Sequence, residues 1–562
     1  KENYTRRFTP GIDRYGVFRN TITLYRGEQD IASTSVNIAV LSPPRSRIKK
    51  GEEIFGTDIH LDDIRDFQQL LYSLRQLAVY NCKAALWSGN YSPESNDDRK
   101  TEIRKFLKSA TEDSIRITGV FGPMPRKLME AAGGAGKGLA DILVTDQKNW
   151  GNFFRDTIER YGYFINIWQV GDDSDNSFTE KETCRKAMAN FDILSRLATW
   201  SEMGVPFPYD PRTTFEYLPF AEKKIQYLSL RFPAEQDSIA LAAWLKSLTE
   251  KKGPAGTHKD LWLVLLLRAY RNFGMEQVRD LARKVIIGKR YGMDRIIAGP
   301  YQHPRNGLIG RDFTLHPAAA AFKTLSAFLS GAKYIGTLQE LGKDVRGYAF
   351  QRETDTVLAA WTPEKKTVKK NLYLGYRIQE VDIMGNSRTL PVNKNGEQKF
   401  EVTPVPRLFT NLNTELTKTR ISIRLDDSIT LLSKLQFQKQ RITVANHFKK
   451  GISGSFFINY PPGWHTRPPI IQYKVPGNQV RTFDFEVVPS RIETPGIKEV
   501  SIDTTMVMGT RRYRFSSARI QNFQSEFSVA PQITLSQEGG IDIIVPISLS
   551  KSSTLEPDKT IS

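Results

Sequence analysis

The stretch "INIWQVGDDSDNSF", Ile165 to Phe178, decides how this chain is read. An apolar, aromatic-flanked run ends at Gly171 and opens into a loop that holds Asp172, Asp173 and Asp175 within four positions. A short apolar run bounded by a glycine reads as a buried strand. If its neighbours repeat the pattern with helices between them, the acids lie where the strands of a parallel barrel end, which is where barrel sites gather.

The neighbours do repeat it. From about residue 52 to 340, short apolar runs alternate with amphipathic helical ones: "EEIFGTDIH", "CKAALWSGNY", "SIRITGVFGP", "YFINIWQVG", "LATWSEMGVP", "IQYLSLRFP", "DLWLVLLLR" and "DRIIAGPYQHP". "LDDIRDFQQLLYSLRQLAVY", "RKTEIRKFLKSAT", "NWGNFFRDTIERYG" and "MEQVRDLARKVIIGKRYG" supply helices between strands. Eight βα units over this length predict a (β/α)8 TIM barrel, residues 47–340, closed by the small-residue helix in "AAAAFKTLSAFLSGAKYIG".

The flanks are β-rich. Residues 1–46 carry "YGVFRNTITLYRG" and "STSVNIAVL" before "SPPRS", too few strands to bury a face alone, and are expected to complete a β domain begun upstream. Residues 341–413 read as hairpins of a small β domain packed on the barrel, 414–550 as an immunoglobulin-like sandwich, and 551–562 as a tail. The fold class is therefore multidomain, a barrel followed by all-β sandwich domains.

Composition bounds the function. The 562 residues are 40% hydrophobic and 11% aromatic, enough for several cores, and the net charge of +19 points to anionic surroundings. The basic residues are scattered in short clusters such as "RIKK" (Arg47–Lys50) and "EKKTVKK", with no nucleic-acid-binding signature, so nucleic acid is set aside. The longest apolar run, "LWLVLLL" at Leu261–Leu267, is far short of a membrane span, and no transmembrane segment is expected. Cys82 and Cys184 read as core or helix-face residues. The start at Lys1, without methionine or a signal-like core, reads as a mature or incomplete chain.

The series "IFGTDIH", "ALWSGNY", "ITGVFGP" and "INIWQVGDDSD" resembles the front half of a clan A glycoside hydrolase barrel, most like family 39-type multidomain proteins of environmental bacteria. "VANHF…GISGSFFINYPPGWHTRPP…VPGNQVRTFDFEVV" resembles the immunoglobulin-like module that accompanies galactosidases. In that family the fourth strand ends in Trp-x-x-x-Asn-Glu-Pro, with Glu as general acid/base. The resemblance implies that Asp172 stands at the Asn, Asp173 at the Glu and Ser174 at the Pro.

Two departures bear on catalysis. An Asp carboxyl is one methylene shorter than Glu, which moves the proton donor by about 1 Å. A retaining enzyme also needs a nucleophile about 5 Å away, which the family takes from strand seven. Here "DLWLVLLLRAY" offers only Arg268. Glu202 and Asp58 are the remaining candidate second acids. The plainer reading of "GDDSDNS" is a polar loop in which an Asp caps the helix "FTEKETCRKAMANFDILSRL". Calcium suits its oxygens, but the spacing is not that of a twelve-residue calcium loop.

His60, Trp87, Asn90, Trp168, Tyr301 and His303 are expected at the rim as saccharide contacts, the aromatics as stacking platforms. No pair of histidines has zinc-ligand spacing, and "GGAGKG" at Gly133–Gly138 lacks the residues of a phosphate loop, so neither a metal nor another cofactor is expected. The sequence thus predicts a secreted or cell-envelope protein that binds or hydrolyses a polysaccharide, an anionic one given the charge, with catalytic candidates Asp173, Asp172 and Glu202. The alternative is a non-catalytic member of a cell-surface assembly.

Overall fold

The computed structural model describes residues 11–43, 54–94, 98–134, 136–199, 201–210, 224–250, 259–270, 274–353, 355–394, 396–425, 430–431, 437–490 and 496–524, with four short strands between 527 and 549. The "RIKK" cluster, the end of "SPPRS" and the tail 551–562 lie outside the described residues.

The chain enters through an antiparallel ribbon, β1 (Gly16–Arg26) and β2 (Gln29–Val40), whose base reaches the rest of the protein through Tyr15 N–H, which donates to Asn386 Oδ1 at 2.7 Å. The barrel follows: β3 (Phe55–His60), α1 (Phe67–Gln76), β4 (Asn81–Ala85), α2 (Asp98–Glu112), β5 (Arg116–Phe121), α3 (Arg126–Ala131), α4 (Leu139–Val144), α5 (Gln147–Tyr161), β6 (Ile167–Val170), α6 (Lys181–Leu197), β7 (Glu202–Pro208), β8 (Tyr227–Phe232), α7 (Ser238–Glu250), β9 (Asp260–Leu266), α8 (Met275–Arg290), β10 (Arg295–Gly299) and α9 (Pro317–Leu329). All eight expected strands are present and parallel, and β10 pairs back onto β3, Ile296 opposite Phe55, so the sheet closes.

Period-two alternation places the side chains. Cys82 and Ala84 of β4, Trp168 and Val170 of β6, and Leu228 and Leu230 of β8 join the apolar layer under the helices. The helices meet it with apolar stripes. In α1, Leu70, Leu71 and Leu74 are buried, each stabilising by about 1.5–3 kcal/mol. Asp66 starts this helix by accepting from Gln68 and Gln69 N–H, both at 2.9 Å. The lower end of the barrel is filled by Ile167, Tyr227 and Trp262, the last two stacked at 3.7 Å, with the Arg295 guanidinium 3.9 Å from the Trp262 ring centre.

Beyond α9 a six-stranded sheet built from residues 333–412 packs on the barrel. Its strand Thr356–Trp361 serves two cores by alternation: Val357, Ala359 and Trp361 join the barrel cluster, while Leu358 and Ala360 join a second one. That second cluster runs into a pair of facing sheets, where Ile442, Val444, Phe485 and Val487 of one meet Phe456, Tyr473, Val500 and Ile502 of the other. Cys82 and Cys184 are buried and unbridged. Among the described residues no helix is long and apolar enough to cross a membrane.

Candidate functional site at the barrel mouth

The inward positions of the barrel are unusually polar. Asp58 and Lys83 are register partners on β3 and β4, and Gln169 and Ser229 come from β6 and β8. Lys83 is 1% exposed, and its ammonium donates to both oxygens of Asp173, at 2.5 and 2.6 Å, and to Ser229 Oγ at 2.8 Å. Ser229 Oγ donates in turn to Asp173 Oδ1 at 2.7 Å, and Gln169 Nε2 reaches the same oxygen at 3.0 Å. The Asp173 carboxylate is therefore folded down from the loop into the barrel and closed on by three donors.

Above it, Asp58 and His60 form a second pair, with Nε2 3.6 Å from Oδ2. Burial pushes the Asp58 carboxyl up, but the His60 hydrogen bond and the charges of His60, Lys83 and Arg231 outweigh it and hold the group below its ordinary value. The hydrogen bond and charge of Asp58, aided by Asp63 and Asp172, raise the His60 imidazole to about 9 against the pull of burial. The mouth thus carries a protonated histidine between carboxylates at neutral pH.

The acidic loop divides its three acids among different tasks. Gly171 takes φ +100°, and Gly122 lies so close to Asp172 that an added Cβ would stand 2.8 Å from that residue's Cβ, so two glycines let the loop fold tightly over β5. Asp172 stays at the rim, accepting from Ser174 N–H at 2.7 Å. Asp175 is structural. It accepts from Leu139 N–H at 2.7 Å and from Ser177 N–H and Oγ at 2.9 and 2.6 Å, and burial raises its carboxyl. The expected cap on the following helix is made instead by Glu180, which accepts from Glu182 and Thr183 N–H at the start of α6. Asp175 secures α4, a helix earlier in the chain.

Several expected rim residues sit elsewhere. Glu202 is the first residue of β7, at the opposite end of the barrel from the strand termini that form the mouth, so it cannot pair with Asp173. Trp87 is 2% exposed, packed against Tyr91, Phe121 and Phe154, and donates Nε1–H to Thr157 Oγ1 at 2.8 Å. Trp168 is fully buried on the helix side of β6, stacked on Phe121 at 4.9 Å. Tyr301 is buried as well, its hydroxyl donating to Ser73 Oγ at 2.7 Å. These three are core aromatics rather than platforms. His303 Nδ1 accepts from Asn306 N–H at 3.0 Å and shapes its own loop. Asn90 is exposed in the loop after β4. Of the predicted set, His60, Asp172 and Asp173 gather at the mouth.

Lys83, Gln169 and Ser229 were not anticipated. Their signal was a polar residue at alternate positions of otherwise apolar strands, "NCKAA", "IWQV" and "YLSLRF". After β9, Leu267–Tyr270 carries no carboxylate, and Arg268 turns aside to donate to the carbonyls of Ala234 and Glu235 at 3.0 and 3.1 Å. Among the described residues no group of three or more His, Cys, Asp or Glu is placed to hold a metal ion.

No family model matches the chain, and no curated protein sequence matches it. Among solved structures, a family 39 glycoside hydrolase from the gut symbiont Bacteroides cellulosilyticus WH2 is similar with a TM-score of 0.52 at 14% identity, over 71% of this chain and 88% of that one. A GH30 endoxylanase from Clostridium papyrosolvens C71 is similar at TM-score 0.45 and 11% identity, over 64% and 96% of the two chains. The fold is a closed parallel (β/α)8 barrel with added β-sheet domains, similar to that of the family 39 enzyme. At this identity the likeness concerns architecture alone.

Proposed function

We propose that the barrel mouth binds a saccharide chain and does not hydrolyse it by the two-carboxylate route, the protein acting as a carbohydrate-binding component of a secreted or cell-envelope assembly with an immunoglobulin-like module. The observation that carries this reading is the closure of Lys83, Ser229 and Gln169 on Asp173. A general acid must hold a proton at working pH and offer it to the glycosidic oxygen. A carboxyl folded down into the barrel and held there by three donors is not presented to a glycosidic oxygen at the mouth.

Three further points support the binding reading. The likeness to the family 39 enzyme gives the barrel a saccharide-handling precedent. The segment after β9 offers no nucleophile among the described residues. The mouth nevertheless keeps polar groups within reach of solvent, His60 exposed and Asp172 partly so, suited to hydroxyl recognition.

The test is a panel of neutral and anionic polysaccharides, scored for binding by calorimetry and for turnover by reducing-end release, with the native protein, Asp173→Asn and Asp172→Asn. Binding without turnover, weakened in Asp172→Asn, is expected. Turnover that disappears in Asp173→Asn, with the variant still folded by circular dichroism, would overturn the reading.

A further inference from the structure

A cavity of about 1290 Å³ lies between α7 and α8 of the barrel, the turn before the strand Arg346–Gln351, and the C-terminal sheets, and shares no lining residue with His60, Asp172 and Asp173. Its lining holds eight lysines and arginines against four aspartates and glutamates. That imbalance decides the kind of ligand only if the cations are available, so their partners matter.

One wall is α8. Arg279, Arg283 and Arg290 recur at spacings of four and seven and so share one helical face, which lines the cleft. Arg283 is anchored by donating to the carbonyls of Thr362 and Pro404, at 2.8 and 2.7 Å, and its partial burial pulls the guanidinium down to about 10. Arg290 stacks over Tyr348, 4.7 Å from the ring centre, and donates to its hydroxyl at 2.9 Å. The facing wall adds Lys343 and Arg346, both exposed.

The acids are largely engaged. Glu276 lies 3.7 Å from Arg279, Asp280 lies 2.7 Å from Lys284, and Asp237 accepts from Ile239 and Ala240 N–H at the start of α7. Among the described residues, no carboxylate lies within ion-pair distance of Arg290, Lys343 or Arg346. A concave surface with unpaired cations, Arg290 partly buried and Lys343 and Arg346 exposed, beside an aromatic edge favours anions, and Arg forks match carboxylate and sulfate oxygens.

We infer that this cleft is a second binding site, for an anionic saccharide chain bearing carboxylate or sulfate groups. It extends the carbohydrate reading to a cleft built from residues other than His60, Asp172 and Asp173, and does not depend on what the mouth binds. A saccharide is favoured over nucleic acid because the cations line a confined pocket with one tyrosine and one tryptophan, not an extended stripe.

The experiment is calorimetry on the full chain with polygalacturonate, dextran sulfate, neutral dextran and a DNA duplex of matched charge. Two double variants are compared: Lys343→Glu/Arg346→Glu in the cleft, and Lys449→Glu/Lys450→Glu on an exposed turn elsewhere. All four positions are exposed, and thermal melts check that both variants fold. Polygalacturonate, dextran sulfate or both should bind and dextran should not, the two anions reporting whether carboxylate or sulfate is preferred. The cleft variant should weaken that binding about tenfold or more while the distant variant leaves it unchanged. The inference is overturned if neither anionic glycan binds, if both variants weaken binding equally, or if DNA binds as tightly with the same sensitivity. Mouth binding of a neutral glycan is read separately, so the two sites fail independently.

Discussion

Lys83 and Asp173 meet inside the barrel with Nζ 2.5 Å from Oδ1 and 2.6 Å from Oδ2, the lysine 1% and the aspartate 11% exposed. They come from β4 and from the loop after β6, and each is the other's nearest compensation for burial. A charge that is buried and abruptly unpaired costs far more than the pair contributes in place.

Asp173→Asn should therefore destabilise the protein by about 3–5 kcal/mol, because it leaves the Lys83 ammonium buried without its main counter-charge. Asp58 on the adjacent strand offers partial relief, which favours the lower end of that range. Removing both charges with Lys83→Met/Asp173→Leu should recover most of the loss. Chemical denaturation of the single and double variants measures this, and a single variant within about 1 kcal/mol of the native protein would refute the buried-pair account.

The Asp58–His60 pair predicts a pH dependence of definite sign. The folded imidazole titrates at about 9, above its ordinary 6.5, so its contribution is complete below 6.5 and is lost as pH rises towards 9. Asp58, held below its ordinary 3.8, stays ionised across that window. Because the His60 side chain is 45% exposed, solvent weakens the pair and the effect on stability should be modest. An NMR titration should place His60 near 9 in the native protein and close to its ordinary value in Asp58→Asn. An unchanged titration in that variant would remove Asp58 as the cause.

The barrel was legible in the sequence because eight apolar runs separated by amphipathic helices leave few other ways to bury both faces of a parallel sheet. The position of Asp173 at the end of the fourth barrel strand was legible too. Its direction was not. Whether a carboxylate at a strand end reaches outward to a ligand or back into the barrel depends on what the other strands present inside, and Lys83 and Ser229 lie 90 residues before and 56 after it. Trp87 and Trp168 failed for a related reason. An aromatic at a strand end faces the helices or the lumen according to register, and a shift of one position exchanges the two. Glu202 was displaced by strand boundaries: its strand begins at that residue rather than ending near it, which sends the acid to the far end of the barrel.

Asp175 is expected to act on the fold alone. Asp175→Ala removes the acceptor for Leu139 and Ser177 N–H and frees the loop from α4, at a cost of about 1–2 kcal/mol by the usual scale of helix-start acceptors. Glycan affinity at the mouth, measured well below the melting temperature, should stay within twofold or so of native on the additivity expected for unlinked effects. A large loss of affinity with little loss of stability would instead place Asp175 in the binding surface.

Trp87 provides the corresponding test for the aromatics. Its indole lies among Tyr91, Phe121 and Phe154 and spends its N–H on Thr157 Oγ1, a hydroxyl that also donates to Phe153 O and lies 2.9 Å from the Tyr91 hydroxyl. Trp87→Phe keeps a ring in the core but leaves a void and one donor fewer, which should lower stability by about 1–3 kcal/mol. A saccharide platform would behave in the opposite way, losing affinity on truncation while stability held, because stacking requires an exposed ring face. Thermal denaturation and calorimetry on the same variant separate the two roles. A clear drop in melting temperature with unchanged glycan affinity assigns Trp87 to the seam between β4 and α5, and affinity lost at unchanged melting temperature would return it to the mouth.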